Sequence, residues 1–150
     1  MNITGNFFRI HGPSDEFAHI ISLDQLEFPR PWSIKDWNDM NWSHHLLWGL
    51  SLNGEVVGFA LFFKLTSDNA AHLLKICLRS QDRGQGHAMS FWDNCQAGLR
   101  SLNVESVFLE VEVGNIQAIS FYRKVNFRDL RRIKAFYSDG ADAQTMLLTL

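Results

Sequence analysis

The sequence predicts an α/β fold, a single domain over residues 1–150 with a mixed, mostly antiparallel central sheet of about seven strands and helices on both faces. Asn53-Gly54 between two apolar runs is the strongest short signal for a hairpin of antiparallel strands. A later strand, helix, strand succession requires a parallel pair in the same sheet. The chain has 150 residues, 46% of them apolar, which suits one hydrophobic core.

The N-terminal part of the chain predicts one strand and two helices. Residues 6–10 are a short strand, and Ser14 is placed to cap the helix that follows it. The two prolines of Phe28-Pro29-Arg30-Pro31-Trp32 exclude a regular helix there. Ser33 with Asp36 resembles a capping box, so a second short helix is expected to begin after Ser33.

The middle of the chain predicts a three-stranded meander. Residues 46–52 and 56–64 are apolar runs on either side of Asn53-Gly54. Residues 70–78 form the third predicted strand, and its apolar end at Ile76-Cys77-Leu78 is expected to be buried on both faces.

The C-terminal half predicts helix, strand, helix and two strands. After Gly86, apolar residues recur every three or four positions, as on a helix with one buried face: Ala88, Phe91, Cys95, Leu99 and Leu102. Residues 106–113 alternate instead, which is typical of a strand, and Asn115 can cap a helix over residues 116–125. The closing strands are predicted at residues 128–134 and 144–150.

The strongest local signal for binding is the turn at residues 81–88, between a buried strand and an amphipathic helix. Gly84 and Gly86 let a phosphate approach the main chain, and the free N–H groups of the helix start favour an anion. Arg83 adds a positive charge. A Walker loop is excluded because no Gly-Lys-Ser/Thr follows, and Met89 replaces the third glycine of a dinucleotide fingerprint. The turn therefore suits another phosphate-bearing cofactor.

Gln81-x-x-Gly84-x-Gly86 resembles the signature of the GNAT acetyltransferases, Gln/Arg-x-x-Gly-x-Gly/Ala at a strand-to-helix turn. Within that superfamily the chain is similar to bacterial enzymes that acetylate the N-terminal amine of a ribosomal protein. Three stretches carry this closer similarity: Phe28-Pro29-Arg30-Pro31-Trp32-Ser33, Leu109-Glu110-Val111 with Asn115 and Ala118, and Phe121-Tyr122-Arg123-Lys124-Val125-Asn126-Phe127.

The resemblance implies an acetyl-CoA-dependent enzyme that transfers acetyl directly to an amine, without a covalent enzyme intermediate. It implies Glu110 as general base and Tyr122 as general acid. The cofactor-binding residues it implies are Ile76, Cys77, Leu78, Arg83, Gly84, Gln85, Gly86, His87, Ala88, Asn115 and Tyr122. In two places the chain departs from the pattern: the loop before Gln81 is short and lacks the usual proline, and Glu112 stands where the closer relatives commonly have Arg.

Elementary chemistry agrees with these roles. An amine attacks a thioester only when neutral, and alkyl and terminal ammonium groups with pKa values near 10.4 and 8 hold their protons at neutral pH, so a base is needed. Glu110 can be that base, and Glu112, about 7 Å along the same strand face, attracts a cationic amine. Tyr122 can donate to the departing thiolate. Taken alone, Glu110 and Glu112 are also typical of a solvated strand face. Tyr122, taken alone, is also typical of a packed core.

Acceptor contacts are assigned to Trp32, Glu112 and Tyr137. The tryptophans at positions 32, 37, 42 and 48 could wall a groove, although core packing accounts for most of them. The six histidines lack the spacing of a metal set, so no metal site is predicted.

Charge and cysteine content limit the other partners. A formal charge of -2 gives no overall attraction to nucleic acid or an anionic membrane, and the basic run between Arg123 and Lys134 also suits a solvated surface. Cys77 and Cys95 form no disulfide framework, which indicates the cytoplasm. The acceptor is predicted to be a protein N-terminus, with a small amine or Lys side chain as the alternative. A non-catalytic acyl-CoA-binding module and a plain interaction domain are the rival classes.

Overall fold

The computed structural model describes residues 5–150 and contains one seven-stranded sheet in the order β1-β2-β3-β4-β5-β7-β6. The strands are β1 Gly5–Ile10, β2 His45–Leu52, β3 Glu55–Lys64, β4 Ala70–Leu78, β5 Ser106–Glu112, β6 Arg128–Ile133 and β7 Ala143–Thr149. The α-helices are α1 Asp15–Glu27, α2 Ile34–Asn38, α3 His87–Ser101 and α4 Ile116–Lys124. No helix in residues 5–150 is long and apolar enough to cross a membrane.

Local sequence signals place the ends of these elements. Ser14 caps α1 by accepting from the Phe17 N–H, and Ser33 and Asp36 form the predicted capping box of α2. Asn53 and Gly54 have positive φ angles of 52° and 82°, as a tight hairpin turn between β2 and β3 requires. Several ends differ by one residue from the predicted bounds; β7, for example, starts at Ala143 and ends at Thr149.

The sheet is mixed and mostly antiparallel, as predicted. Every neighbouring pair is antiparallel except β4 and β5, which are parallel and joined through α3. The last strand, β7, inserts between β5 and β6. The strand β5 is thereby held by β7 along all of Ser106–Glu112.

The strands β4 and β5 pair over only a short distance. Their register runs from Ala70 opposite Ser106 to His72 opposite Phe108, and neither strand pairs with the other beyond that point. The later part of β4 stays paired with β3, and the later part of β5 with β7. A gap therefore opens in the middle of the sheet toward the carboxyl ends of both strands.

Helices cover both faces of the sheet, which confirms that part of the predicted fold. On one face α3 and α4 pack through Phe91, Trp92 and Ile119 against Trp48 and Phe62. On the other face α1 and α2 pack against the sheet through Phe17, Ile20 and Trp37. Burial of these large apolar side chains holds the two helical layers on the twisted sheet.

Candidate active site

A cleft of about 390 Å³ lies where β4 and β5 diverge. It is lined by the end of β4, the glycine turn, α3, α4 and the loop after α1. Of the predicted cofactor-binding residues, the cleft contacts Ile76, Cys77, Leu78, Arg83, Gly84, Ala88, Asn115 and Tyr122. The remaining three, Gln85, Gly86 and His87, lie at the start of α3 beside it.

The glycine turn has the geometry of an anion site. Gly84 and Gly86 have φ angles of 76° and 84°, in the left-handed region that favours glycine. A Cβ placed on either residue meets no atom within 4 Å, so the space beside the main chain is open to a ligand. Gly86 is the N-cap of α3 and supplies no side-chain acceptor, which leaves the first N–H groups of the helix available for pyrophosphate.

Glu27 holds this turn in place and was not found from the sequence. Its carboxylate accepts hydrogen bonds from the Ser80 N–H at 3.2 Å and the Ser80 hydroxyl at 3.0 Å, and from Arg83 Nη2 at 3.0 Å. Ser80 begins a 3₁₀ turn, Ser80–Asp82, which forms the short loop before the glycine turn. Arg83 Nε also donates to the Leu78 carbonyl at 2.8 Å, so the arginine is fixed at the cleft wall.

Cys77 is the one cysteine that lines the cleft. Burial raises the pKa of its thiol to about 12, and the nearby Glu27 carboxylate adds to the shift. A thiol with this pKa stays protonated near neutral pH and is a poor nucleophile. Cys77 is therefore a buried, protonated side chain of the cleft wall.

Glu110 forms a close pair with a histidine. Its Oε2 lies 2.5 Å from His72 Nε2, and both side chains are partly buried. The His72 ring stacks on Phe108 with centroids 4.4 Å apart, which fixes its orientation. His72 lies at the last paired position of β4 and β5, and Glu110 lies two residues further along β5, where that strand pairs with β7. A carboxylate hydrogen-bonded to an imidazole can accept a proton and pass or share it.

Tyr122 lies on α4 and lines the cleft. Its ring packs against Phe121 and Phe127. Burial raises the pKa of the phenol above its ordinary value of 10. The hydroxyl therefore stays protonated and is a hydrogen-bond donor at any physiological pH.

Glu112 and Tyr137, two predicted acceptor residues, share an arginine. Arg30 Nη1 donates to Glu112 Oε2 at 3.1 Å, and Arg30 Nη2 donates to Asp139. The same guanidinium lies 4.3 Å from the centroid of the Tyr137 ring. Arg30 therefore links the loop after α1 to β5 and to the loop between β6 and β7.

Trp32, the third predicted acceptor residue, is half buried and packs on Trp37 with ring centroids 5.1 Å apart. Its main-chain N–H donates to Asp24 Oδ2 at 2.8 Å, and Trp37 Nε1 donates to the same oxygen at 2.8 Å. Lys75 Nζ pairs with Asp24 Oδ1 at 2.7 Å, with both side chains buried. Trp37 and Trp48 are core residues rather than groove walls.

The structure thus separates the predicted residues into two neighbouring groups. The cofactor residues line the cleft between β4, α3 and α4. Glu112 and Tyr137 both contact Arg30, and Glu110 lies two residues from Glu112 on the same face of β5. Within residues 5–150, no group of three or more His, Cys, Asp or Glu side chains could hold a metal ion.

Comparison with known proteins agrees with this geometry. The Acetyltransferase (GNAT) family matches residues 17–127. An N-alpha-acetyltransferase of Sulfolobus acidocaldarius is 34% identical over 110 residues, which are 66% of this chain and 66% of that protein. The ribosomal-protein-S18-alanine N-acetyltransferase of Escherichia coli superposes with a TM-score of 0.85 at 22% identity, covering 97% of this chain and 94% of that one. Arabidopsis thaliana NAA60 in complex with acetyl-CoA superposes with a TM-score of 0.82 at 18% identity. The match covers 98% of this chain and 100% of that one.

The divergent strands and the open glycine turn define a transferase with a site for a phosphate-bearing acyl carrier. The chain belongs to the GNAT acetyltransferase family. This match confirms the predicted fold, family and enzyme class. The predicted cofactor agrees with the acetyl-CoA complex of the structurally similar Arabidopsis protein.

Proposed function

We propose that this protein is an acetyl-CoA-dependent N-acetyltransferase whose acceptor is the N-terminal α-amine of a protein or peptide. The observation that carries the proposal is the position of Glu110 and His72 at the point where the sheet opens into the cleft. A base at that point would lie between the cofactor cleft and the proposed acceptor residues Glu112 and Tyr137. The compartment we propose is the cytosol, because Cys77 and Cys95 are both free.

The residues of the chain divide the proposed reaction between them. The main-chain N–H groups of the glycine turn and α3 hold the pyrophosphate, and acetyl-CoA, when bound, supplies the activated thioester. Glu110 accepts a proton from the acceptor ammonium, directly or through water, so that the neutral nitrogen can form the new C–N bond. His72 holds the Glu110 carboxylate and can share the proton. The protonated phenol of Tyr122 lines the cleft and would be the hydrogen-bond donor to the thiolate leaving group.

The acidic character of the acceptor side supports an amine as substrate. The three carboxylates of Glu110, Glu112 and Asp139 outnumber their basic partners there, Arg30 and His72. Such an excess attracts an ammonium group and raises its local concentration. The names of related proteins, N-alpha-acetyltransferases among them, support the α-amine in particular. The specific choice of a ribosomal protein rests on the sequence resemblance and on the similarity to the Escherichia coli structure.

The test is Glu110→Gln, which removes the base and keeps the shape of the side chain. We expect kcat on an N-terminal peptide to fall about a hundredfold or more, while acetyl-CoA affinity changes little because Glu110 does not line the cofactor cleft. The matched control is Glu105→Gln, the same chemical change at an exposed position before β5. Equal turnover of the two variants would contradict the role of Glu110.

A further inference from the structure

Arg30 projects from a main chain that the core holds in place. It lies between Pro29 and Pro31, which restrict the backbone on both sides. Its carbonyl oxygen accepts from Lys75 Nζ at 3.5 Å, and Lys75 belongs to the buried pair with Asp24. The guanidinium therefore starts from a fixed point beside the acceptor region.

The guanidinium occupies a small acidic and aromatic site. Glu112 and Asp139 each accept one of its hydrogen bonds, and its positive charge lies over the face of Tyr137. The same two carboxylates and aromatic ring would bind a lysine or arginine side chain of a substrate. Arg30 thus fills a cation site that lies two residues along β5 from Glu110.

An acceptor with a second positive charge meets this arrangement unfavourably. Its side chain, next to the reactive amine, would have to compete with Arg30 for Glu112 and Asp139, at a position where the guanidinium repels it. An uncharged side chain at the same place needs neither carboxylate and leaves the Arg30 contacts intact. Discrimination between acceptors therefore arises from the repulsive partner already in the site.

We propose that Arg30 is a specificity-determining residue that selects against acceptor peptides with Lys or Arg immediately after the N-terminal residue. The inference rests on the proposed function, because it concerns the acceptor of the same reaction. It assigns the selection to one side chain of the loop after α1, acting through Glu112 of β5 and Asp139 of the loop between β6 and β7.

The experiment compares kcat/KM on peptides that differ only in the second residue, Lys against Gln. We expect Arg30→Gln to raise the Lys to Gln ratio about fivefold, as for loss of one charge interaction near the surface. Arg30→Lys keeps a cation at this position and should leave the ratio close to that of the unsubstituted protein. Thermal unfolding of both variants checks that the fold is kept.

An unchanged ratio in Arg30→Gln, with peptides still acetylated, would overturn the role of Arg30 and leave the proposed function standing. An equal rise in Arg30→Lys would also overturn it, because a structural disturbance rather than the charge would then be the cause. Failure of the unsubstituted protein to acetylate any peptide would overturn the proposed function as well.

Discussion

Two carboxylates on one face of β5 have different surroundings. Glu110 pairs with His72 on the neighbouring strand, while Glu112 pairs with Arg30 from a distant loop. Alternation along the strand predicts both carboxylates on the face opposite Val107, Leu109 and Val111, and those three are buried as expected. Their partners could not be predicted, because each contact joins residues 38 or 82 positions apart.

His72 left only a weak trace in the sequence. The spacing of the histidines in the sequence does not indicate a metal site, and it does not mark His72 as a partner of Glu110. The signal that could have found His72 is the parallel pair itself, because pairing the start of β4 with β5 places His72 opposite Phe108 and next to Glu110. Arg30 is marked only by its position between two prolines.

For Tyr122→Phe we expect kcat to fall about tenfold, which is less than for Glu110→Gln. A thiolate with a pKa near 8.5 is already a fair leaving group, so one hydrogen bond is a smaller contribution than the base. Because burial raises the phenol pKa above 10, the donor is protonated at both pH 7 and pH 9. Steady-state kinetics should therefore give the same factor at both pH values. A defect that disappears at pH 9 would contradict this role.

At the scale of elements, the turn between β4 and α3 combines predicted and unpredicted features. The glycines and the helix start follow from the sequence, and Phe91, Cys95 and Leu99 form the buried face of α3 as the periodicity predicts. The contacts of Ser80 and Arg83 with Glu27 do not follow from the sequence, because Glu27 is the last residue of another helix, α1. The shortened loop is stabilised by this long-range contact.

Glu27→Gln should weaken acetyl-CoA binding, raising Kd about tenfold, with a smaller change in kcat at saturating cofactor. The neutral amide loses the charged hydrogen bonds to Ser80 and Arg83 that hold the turn. Glu16→Gln, exposed in the first turn of the same helix, is the control. Calorimetric titration measures the acetyl-CoA Kd of both variants. Tighter binding in Glu27→Gln would mean that repulsion of the pyrophosphate outweighs the tether.

At the scale of the whole molecule, a buried ion pair joins the sheet to the helical layer of α1 and α2. Lys75 of β4 and Asp24 of α1 are 6% and 0% exposed, and Asp24 also accepts from Trp32 and Trp37. The pair thereby fixes the loop of residues 28–32, which contributes Phe28 and Pro29 to the cofactor cleft and Arg30 to the acceptor side.

Lys75→Met should lower the free energy of unfolding by about 3 kcal/mol, because it leaves the Asp24 carboxylate buried without its cation. Lys35→Met removes an exposed ion pair with Asp39 and should change the free energy of unfolding far less than Lys75→Met, because solvent screens that pair. Denaturant titration of the two variants gives the comparison. Similar values would show that the buried pair contributes no more than the exposed one.

The order of elements and the mixed sheet could be predicted from local patterns, since hairpin turns, caps and periodicity are local properties. Insertion of β7 between β5 and β6, and the early end of the β4 and β5 pairing, could not. These features depend on contacts between distant strands, and together they create the cleft. The family resemblance therefore implies eight of the fifteen residues that line the cleft, but not its shape.

Titration of the protein with acetyl-CoA in a calorimeter, with Gly84→Val and Gly54→Val measured in parallel, tests most directly whether the open glycine turn binds the cofactor. Both glycines have positive φ and open space at Cβ, but only Gly84 lines the cleft. We expect one molecule bound per chain, affinity at least about tenfold weaker in Gly84→Val, and little change in Gly54→Val. No heat of binding in the unsubstituted protein, or undiminished affinity in Gly84→Val, would contradict the claim that the glycine turn binds acetyl-CoA.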